Sequence, residues 1–287
     1  MSELEKDLVF AGVDTRKDAP TLCLLDHMGR AIGTFRFAAD AKGCDALAGK
    51  IGGPATRAGV GVEGTGSYGA GLTRRRLELG YRVYEAMVPG RARRKPGRPK
   101  SDPADAEAAA RQVLAGVDPS KPKDQSGRTE ELRRLMIARD RLVQAASAMI
   151  NAAKSLMVTA PEDLRRSLEG LSRKNLRSAL STLDPAAGGI VLALGSLGKA
   201  WDLQDREADA IEERMKRVLE ANAPALLAIY GCGAVSAALA VAGGGNPERL
   251  RSEAEFASLC GVAPLLASSG KTERHRLNRG GDRRANR

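Results

Sequence analysis

Four acidic residues occupy positions from which charge could be gathered at one point: Asp14, Glu63, Asp102 and Asp105. Asp14 directly follows the apolar run Leu8-Val9-Phe10-Ala11-Gly12-Val13, which has the length of a strand. Glu63 repeats the situation after Ala58-Gly59-Val60-Gly61-Val62. Acids at strand ends emerge at the carboxyl edge of an α/β sheet, where loops converge on ligands. Asp102 and Asp105 are three residues apart around a helix start, a spacing that puts both carboxylates on one face of the first turn. The same pair also suits an ordinary helix start, with Asp102 as N-cap, Pro103 at the first helical position and Asp105 in the first turn. Singly, each acid reads as a cap or a turn residue. Together they predict a cluster able to share divalent cations. Phosphoryl transfer is the chemistry such a cluster serves, because two metal ions about 4 Å apart stabilise both the attacking and the leaving oxygen. Mg2+, as two ions, is the cofactor expected from hard carboxylate oxygens in this number.

Cationic side chains crowd two segments beside these positions. Arg91, Arg93, Arg94, Lys95, Arg98 and Lys100 lie in the loop just before Asp102, and Lys271, Arg274, Arg276, Arg279, Arg283, Arg284 and Arg287 follow Ser268-Ser269-Gly270. Backbone phosphates are held by residues of this type. The Gly97-Arg98-Pro99 core also has the look of a minor-groove hook, although a solvated charged loop has the same composition. Further along, Ile229-Tyr230-Gly231-Cys232-Gly233-Ala234 looks like a helix-hairpin-helix, with Gly231 and Gly233 turning the backbone so that N–H groups face a phosphate. A ligand-free interhelical turn would use the same glycines. Aromatic residues are only 3% of the chain, which argues against recognition dominated by base stacking.

The elements needed to position the acids can be read from period and punctuation. Leu8–Val13, Thr21–Leu25 and Ala31–Phe37 are expected to form three strands joined by short turns, followed by a helix capped by Asp40 and running toward Lys50. A fourth strand over Ala58–Val62, a helix over Leu72–Leu79, a fifth strand over Tyr81–Glu85 and a helix from Ser101-Asp102-Pro103 to Ala115 come next. Three strands, then helix, strand, helix, strand is the order of a ribonuclease-H-like sheet, and other mixed α/β folds share it. After a polar linker over Gly116–Gly127, an apolar stripe at three-four spacing predicts a long helix over Thr129–Met157, and a second amphipathic segment covers Leu197–Leu219. The two predict an antiparallel helical hairpin or a dimerising coiled coil, and an ordinary helical bundle fits the same pattern. From Ala223 onward a small all-α module is expected, with Ser252 and Glu255 as a capping box.

The overall composition narrows the partners. With 46 Lys plus Arg against 35 Asp plus Glu, the net charge is +11, which favours nucleic acid over a membrane surface. Cys23, Cys44, Cys232 and Cys260 are far apart and only two histidines are present, so neither a zinc site nor a disulfide framework is supported. MSELEKDLVF holds no apolar signal core, and reduced thiols in the cytoplasm are the expectation. The uncharged stretch from Asn222 to Pro247 is long enough to span a bilayer, but its glycines and alanines point to buried helices instead.

Four segments in order carry a family resemblance: GVDTRKD around Asp14, GVEGTGSYG around Glu63, KSDPADAEAAAR around Asp102 and Asp105, and LCGVAPLLASSGKTERHRLNRGGDRRANR at the end. Together they resemble the DEDD transposases of bacterial insertion sequences, the insertion-sequence-110 type. The resemblance implies a RuvC-like domain over 1–118, a coiled-coil region over 119–222 and a C-terminal transposase domain over 223–287. It implies that Asp14, Glu63, Asp102 and Asp105 are the metal-binding acids. It also implies that a serine forms a transient covalent link to DNA, at Ser269 or, one residue earlier, Ser268. Composition alone would make Ser268-Ser269-Gly270 a surface turn, and a serine in that role needs activation. DNA at the element ends and target, a structured non-coding guide (bridge) RNA, and dimers that pair into tetramers are the partners implied. The family's last module ordinarily continues past the Arg-Arg-Ala-Asn-Arg segment, so a truncated module is an expectation too. Three other functions fit parts of the pattern: an actin-like or sugar-kinase-like phosphotransferase, a resolvase-type nuclease with water as nucleophile, and a non-catalytic nucleic-acid-binding remnant.

Overall fold

The computed structural model describes residues 8–53, 57–86, 101–116, 120–123, 125–245, 250, 252–268, 270, 272–282 and 284–285. They fall into two compact units, one from Met1–Gln125 with Gly245–Arg251 and one from Ser126–Gly244 with Ser252–Arg287.

The first unit is built on a five-stranded sheet. Strands β1 (Val9–Asp14), β2 (Thr21–Leu25) and β3 (Ala31–Arg36) form the antiparallel meander the turns predict, and β4 (Arg57–Glu63) and β5 (Val83–Ala86) add in parallel beside β1. The resulting order, β3-β2-β1-β4-β5, places β1 at the centre. Strand period divides the residues between two faces. Ala11, Val13, Val60 and Val62 pack with Leu47 and Ile51 of helix α1 (Ala41–Ile51) and Leu72 of helix α2 (Ala70–Glu78). On the other face, Phe10, Cys23 and Leu25 pack against Ala106 and Ala110 of helix α3 (Asp102–Ala115).

Two glycines let α3 come unusually near. A Cβ on Gly12 would lie 2.2 Å from both the Ala106 carbonyl oxygen and the Ala110 nitrogen, and one on Gly61 would lie 2.7 Å from the Ala109 carbonyl oxygen. Real Cβ atoms do not come so near backbone atoms. Glycine at 12 and 61 is therefore a packing requirement, matched by the small Ala106, Ala109 and Ala110 on the facing helix, all fully buried.

In the second unit, α4 (Gly127–Val158) and α7 (Gly189–Asn222) run antiparallel. Leu132 and Met136 cluster with Met215, Val218 and Leu219 at one end, whereas Ala146, Ile150 and Ala153 cluster with Leu194 and Trp201 at the other. Ion pairs from Arg139 to Glu212 at 2.7 Å and from Arg214 to Glu131 at 2.5 Å share that register. The second long helix starts eight residues earlier than its amphipathic stripe predicts. Gly188, at φ 122°, follows a 3-10 turn capped by Asp184, and Ile190 and Leu194 join the core at once. Two short helices, α5 (Glu162–Leu168) and α6 (Arg173–Ser181), fill the connection and bury Leu168, Leu176 and Leu180.

A short helix α8 (Pro224–Leu227), helix α9 (Ala234–Gly244) and helix α10 (Glu253–Leu259) follow. Ser252 caps α10, its hydroxyl accepting from the Glu255 N–H at 3.2 Å, as the capping spacing predicts. Beyond α10 the all-α expectation is corrected: β6 (Leu265–Leu266) and β7 (His275–Arg276) pair as a small antiparallel hairpin. Pro264 lacks the N–H a helix needs, and Gly270 at φ 58° supplies a left-handed turn residue. The segment after the hairpin returns to α10, where a Cβ on Gly281 would lie 2.4 Å from the Gly261 backbone and the Asp282 N–H donates to the Leu259 carbonyl at 2.7 Å. Among the described residues, no helix is long and apolar enough to cross a membrane.

Candidate metal centre

Asp14 closes β1 and Glu63 closes β4, and because those strands are parallel neighbours paired Val13 to Val62, both acids reach the same edge. The alternation that puts Gly12 and Gly61 under α3 also puts Asp14 and Glu63 on that face, two residues further on. Asp105, in the first turn of α3, arrives there because the helix is so near the sheet. Ligand oxygens of Asp14, Glu63 and Asp105 all lie within 4.8 Å of one another. Asp14 and Asp105 are buried and Glu63 is half-buried. Three hard oxygen donors at this spacing suit a divalent cation of the Mg2+ or Mn2+ kind.

The fourth predicted acid stands outside this triad. Ser101, not Asp102, caps α3: its hydroxyl accepts from the Ala104 N–H at 3.4 Å. Asp102 is the first helical residue, and its carboxylate forms an ion pair with Arg16, Oδ1 lying 2.6 Å from Nη2. The same guanidinium reaches Asp14 Oδ2 through Nε at 3.3 Å. Arg16 sits inside the GVDTRKD segment, yet nothing in that segment's local pattern assigns it a role; the pairing needs α3 in place. Its hydrogen bond to Asp14, together with the fields of Asp14, Asp102 and Asp105, raises the Arg16 pKa above its usual value against the opposing effect of burial. Thr15 fixes the base of this loop, its hydroxyl donating to the Glu63 carbonyl at 2.6 Å. Opposite, Gly64 at φ 70° turns the chain away from β4, and Thr65 donates to Glu85 Oε1 at 3.0 Å.

The other predicted residues are distributed as follows. Ser268 is exposed in the hairpin loop of the second unit, its oxygen accepting from the Arg274 N–H at 3.3 Å. Arg274, Arg276 and Arg279 are exposed on or beside that hairpin. Gly231 takes φ 81° in the turn before α9, with Gly233 two residues on and Tyr230 fully exposed between Ile229 and Gly231. Ser269, Lys271, Arg91, Arg93, Arg94, Lys95, Arg98 and Lys100 lie outside the described residues.

Comparison with known proteins places this geometry in context. A transposase family model of the DEDD, IS110 type matches residues 11–160, the segment that carries all four acids. A second, described as the transposase IS116/IS110/IS902 family, matches residues 223–287. No curated protein matches the chain.

Proposed function

The chain belongs to the IS110-type DEDD transposases, and from that premise we propose that it cleaves and rejoins DNA strands to move an insertion sequence, using a DEDD metal cluster and a serine nucleophile. The ribonuclease-H-like α/β sheet with its acids on one edge is what a metal-dependent DNA-recombining enzyme requires. The single observation that carries the metal reading is the convergence of Asp14, Glu63 and Asp105 within 4.8 Å. These three, with Asp102, are assigned as the residues that would hold two Mg2+ ions. When bound, the ions supply charge neutralisation at the attacking and leaving oxygens of a phosphodiester.

In the proposed reaction, the Oγ of Ser269, or of Ser268 one residue before it, forms a bond to phosphorus as one phosphodiester P–O bond breaks. The hydroxyl proton departs and the released sugar oxygen gains one. Rejoining reverses the exchange, so no external energy source is consumed. Exposed Arg274, Arg276 and Arg279 beside the serines, and the basic run from Arg91 to Lys100 before the acids, are assigned to DNA and RNA phosphates. Gly231 and Gly233 are assigned to a helix-hairpin-helix contact with the backbone. On this reading the chain comprises a RuvC-like domain over 1–118, a helical coiled-coil region over 119–222 and a transposase domain over 223–287, and it acts as dimers that pair into tetramers on DNA. It takes a structured bridge RNA as the guide and the cytoplasm as the place of action.

The test is strand cleavage of element-end DNA, with and without RNA transcribed from the flanking non-coding segment, across a Mg2+ titration. Suicide substrates should trap a covalent adduct that maps to Ser269 or Ser268. Asp14→Asn, Glu63→Gln and Asp105→Asn should each abolish it. Cleavage that persists with both serines replaced by alanine would favour the resolvase-type mechanism with water as nucleophile. Cleavage in chelator with all three acids neutralised would overturn the metal reading.

A further inference from the structure

Arg16 pairs with two of the four acids, Asp14 inside the triad and Asp102 outside it. The side-on edge of its guanidinium is split, Nε to Asp14 Oδ2 at 3.3 Å and Nη2 to Asp102 Oδ1 at 2.6 Å, rather than forked onto one carboxylate. The oxygens it occupies are lone-pair donors that a cation would use. Asp14 is shared, because it also belongs to the triad with Glu63 and Asp105. Asp102 is outside the triad.

From this we infer that Arg16 is an internal counter-ion that gates the second metal position: the triad is preformed for one divalent ion, and Asp102 is withheld for a second until Arg16 lets go. The inference rests on the metal reading above. Three like-charged carboxylates within 4.8 Å repel one another, and an adjacent guanidinium offsets part of that repulsion. A bound divalent ion does the same with twice the charge and also repels the guanidinium. Arg16 and a second ion therefore compete for Asp102. Release is feasible because the Arg16 side chain is 43% exposed while Thr15 anchors the backbone behind it. Asp102, at 27%, is likewise reachable, whereas Asp14 is at 5%. Arg16 is thus a positioning residue, acting through Asp102.

The experiment is a titration of MnCl2 into the full-length, metal-free protein, followed by calorimetry and by electron paramagnetic resonance to count free ions. The wild type should bind one ion tightly and a second more weakly. Arg16→Gln should tighten the second ion about fivefold, the scale of a half-exposed ion pair, and the first by less, because the guanidinium lies 3.3 Å from Asp14 but 2.6 Å from Asp102. Arg16→Lys keeps the charge but cannot span both carboxylates, so it should also tighten the second ion, by less. Asp102→Asn should remove the second ion and keep the first. The gate is overturned if Arg16→Gln leaves the second ion unchanged or weakens it, or if Asp102→Asn still binds two. Should Arg16→Gln fail to fold, Arg16→Lys decides by the same readout. Wild-type protein that binds no Mn2+, or binding indifferent to Asp14→Asn and Asp105→Asn, would instead sink the metal reading itself.

Discussion

Replacing Gly12 with alanine adds one methyl group at the point where α3 crosses the sheet. That methyl would lie 2.2 Å from the Ala106 carbonyl oxygen and from the Ala110 nitrogen, where ordinary contact begins at 3.4 Å. Both obstacles are helix backbone, so no side chain can rotate away. The helix must retreat by about 1 Å or the strand must buckle, and overpacking of this kind costs roughly 1–3 kcal/mol. The functional consequence is sharper than the loss of stability. Asp105 rides on α3 and Asp14 on β1, so separating the two widens a triad whose ligand oxygens now lie within 4.8 Å. Gly12→Ala should therefore lower the urea midpoint and weaken Mn2+ binding in the protein that remains folded. Gly71→Ala is the control: that residue is exposed in α2 with nothing within 4 Å of an added Cβ. It should hold or raise stability by a few tenths of a kcal/mol and leave Mn2+ binding alone. If Gly12→Ala matches the wild type in both measurements, the near approach of α3 is not what positions Asp105.

Three further outcomes are expected. Glu130, buried in the first turn of α4, has its carboxyl held below its usual pKa by hydrogen bonds from Arg133, with Arg134 adding to the effect against desolvation; the stabilisation is present above the ordinary carboxylate pKa and lost as pH falls through the depressed value. Glu130→Gln should cost about 1–3 kcal/mol at neutral pH and flatten the acid side of the stability curve, checked by urea melts across pH 3–7 on a scale of about one unit per step. Gly281→Ala should loosen the segment after the hairpin, because its Cβ would meet the Gly261 backbone at 2.4 Å; faster amide exchange at Asp282 relative to α4 is the readout. DNA affinity should fall by roughly a thousandfold or more between about 50 and 200 mM salt if six or more phosphates are held, and a flat salt response would remove the basic residues from the interface.

What could be read in advance, and what could not, divides by the range of the interaction. Strand ends and their acids are local: alternation in Ala11-Gly12-Val13-Asp14 and Val60-Gly61-Val62-Glu63 states both the strand and the face. The helix start at residues 101–103 is local too, yet Ser101 and Asp102 are equally competent caps, and a one-residue choice decides whether the Asp102 carboxylate is spent on the backbone or offered to Arg16. Nothing in the chain near residue 16 encodes that partner 86 positions away. The same is true of the hairpin over 265–276, whose two-residue strands are too short for any periodic signal. The short α5 and α6 are hidden for a related reason, since each offers few apolar residues of its own and is ordered by a core made largely of α4 and α7.

The glycines link these two levels. In a strand interior, glycine is unfavourable by roughly 0.5–1 kcal/mol relative to alanine, so a pattern that places one before each strand-end acid is costly unless something else needs the space. In this chain the space is taken by the backbone of α3, and the residue delivered through it is Asp105. A Gly-Val-acid strand end covered by a helix rich in small residues and headed by an acid is then a single device. The glycine sets how near the helix comes, and that nearness converts a carboxylate distant in sequence into the third member of a metal-sized cluster. The acids alone do not specify the site. A chain that kept all four acids but carried alanine at 12 and 61 would retain every carboxylate while the distance between Asp14 and Asp105 grew.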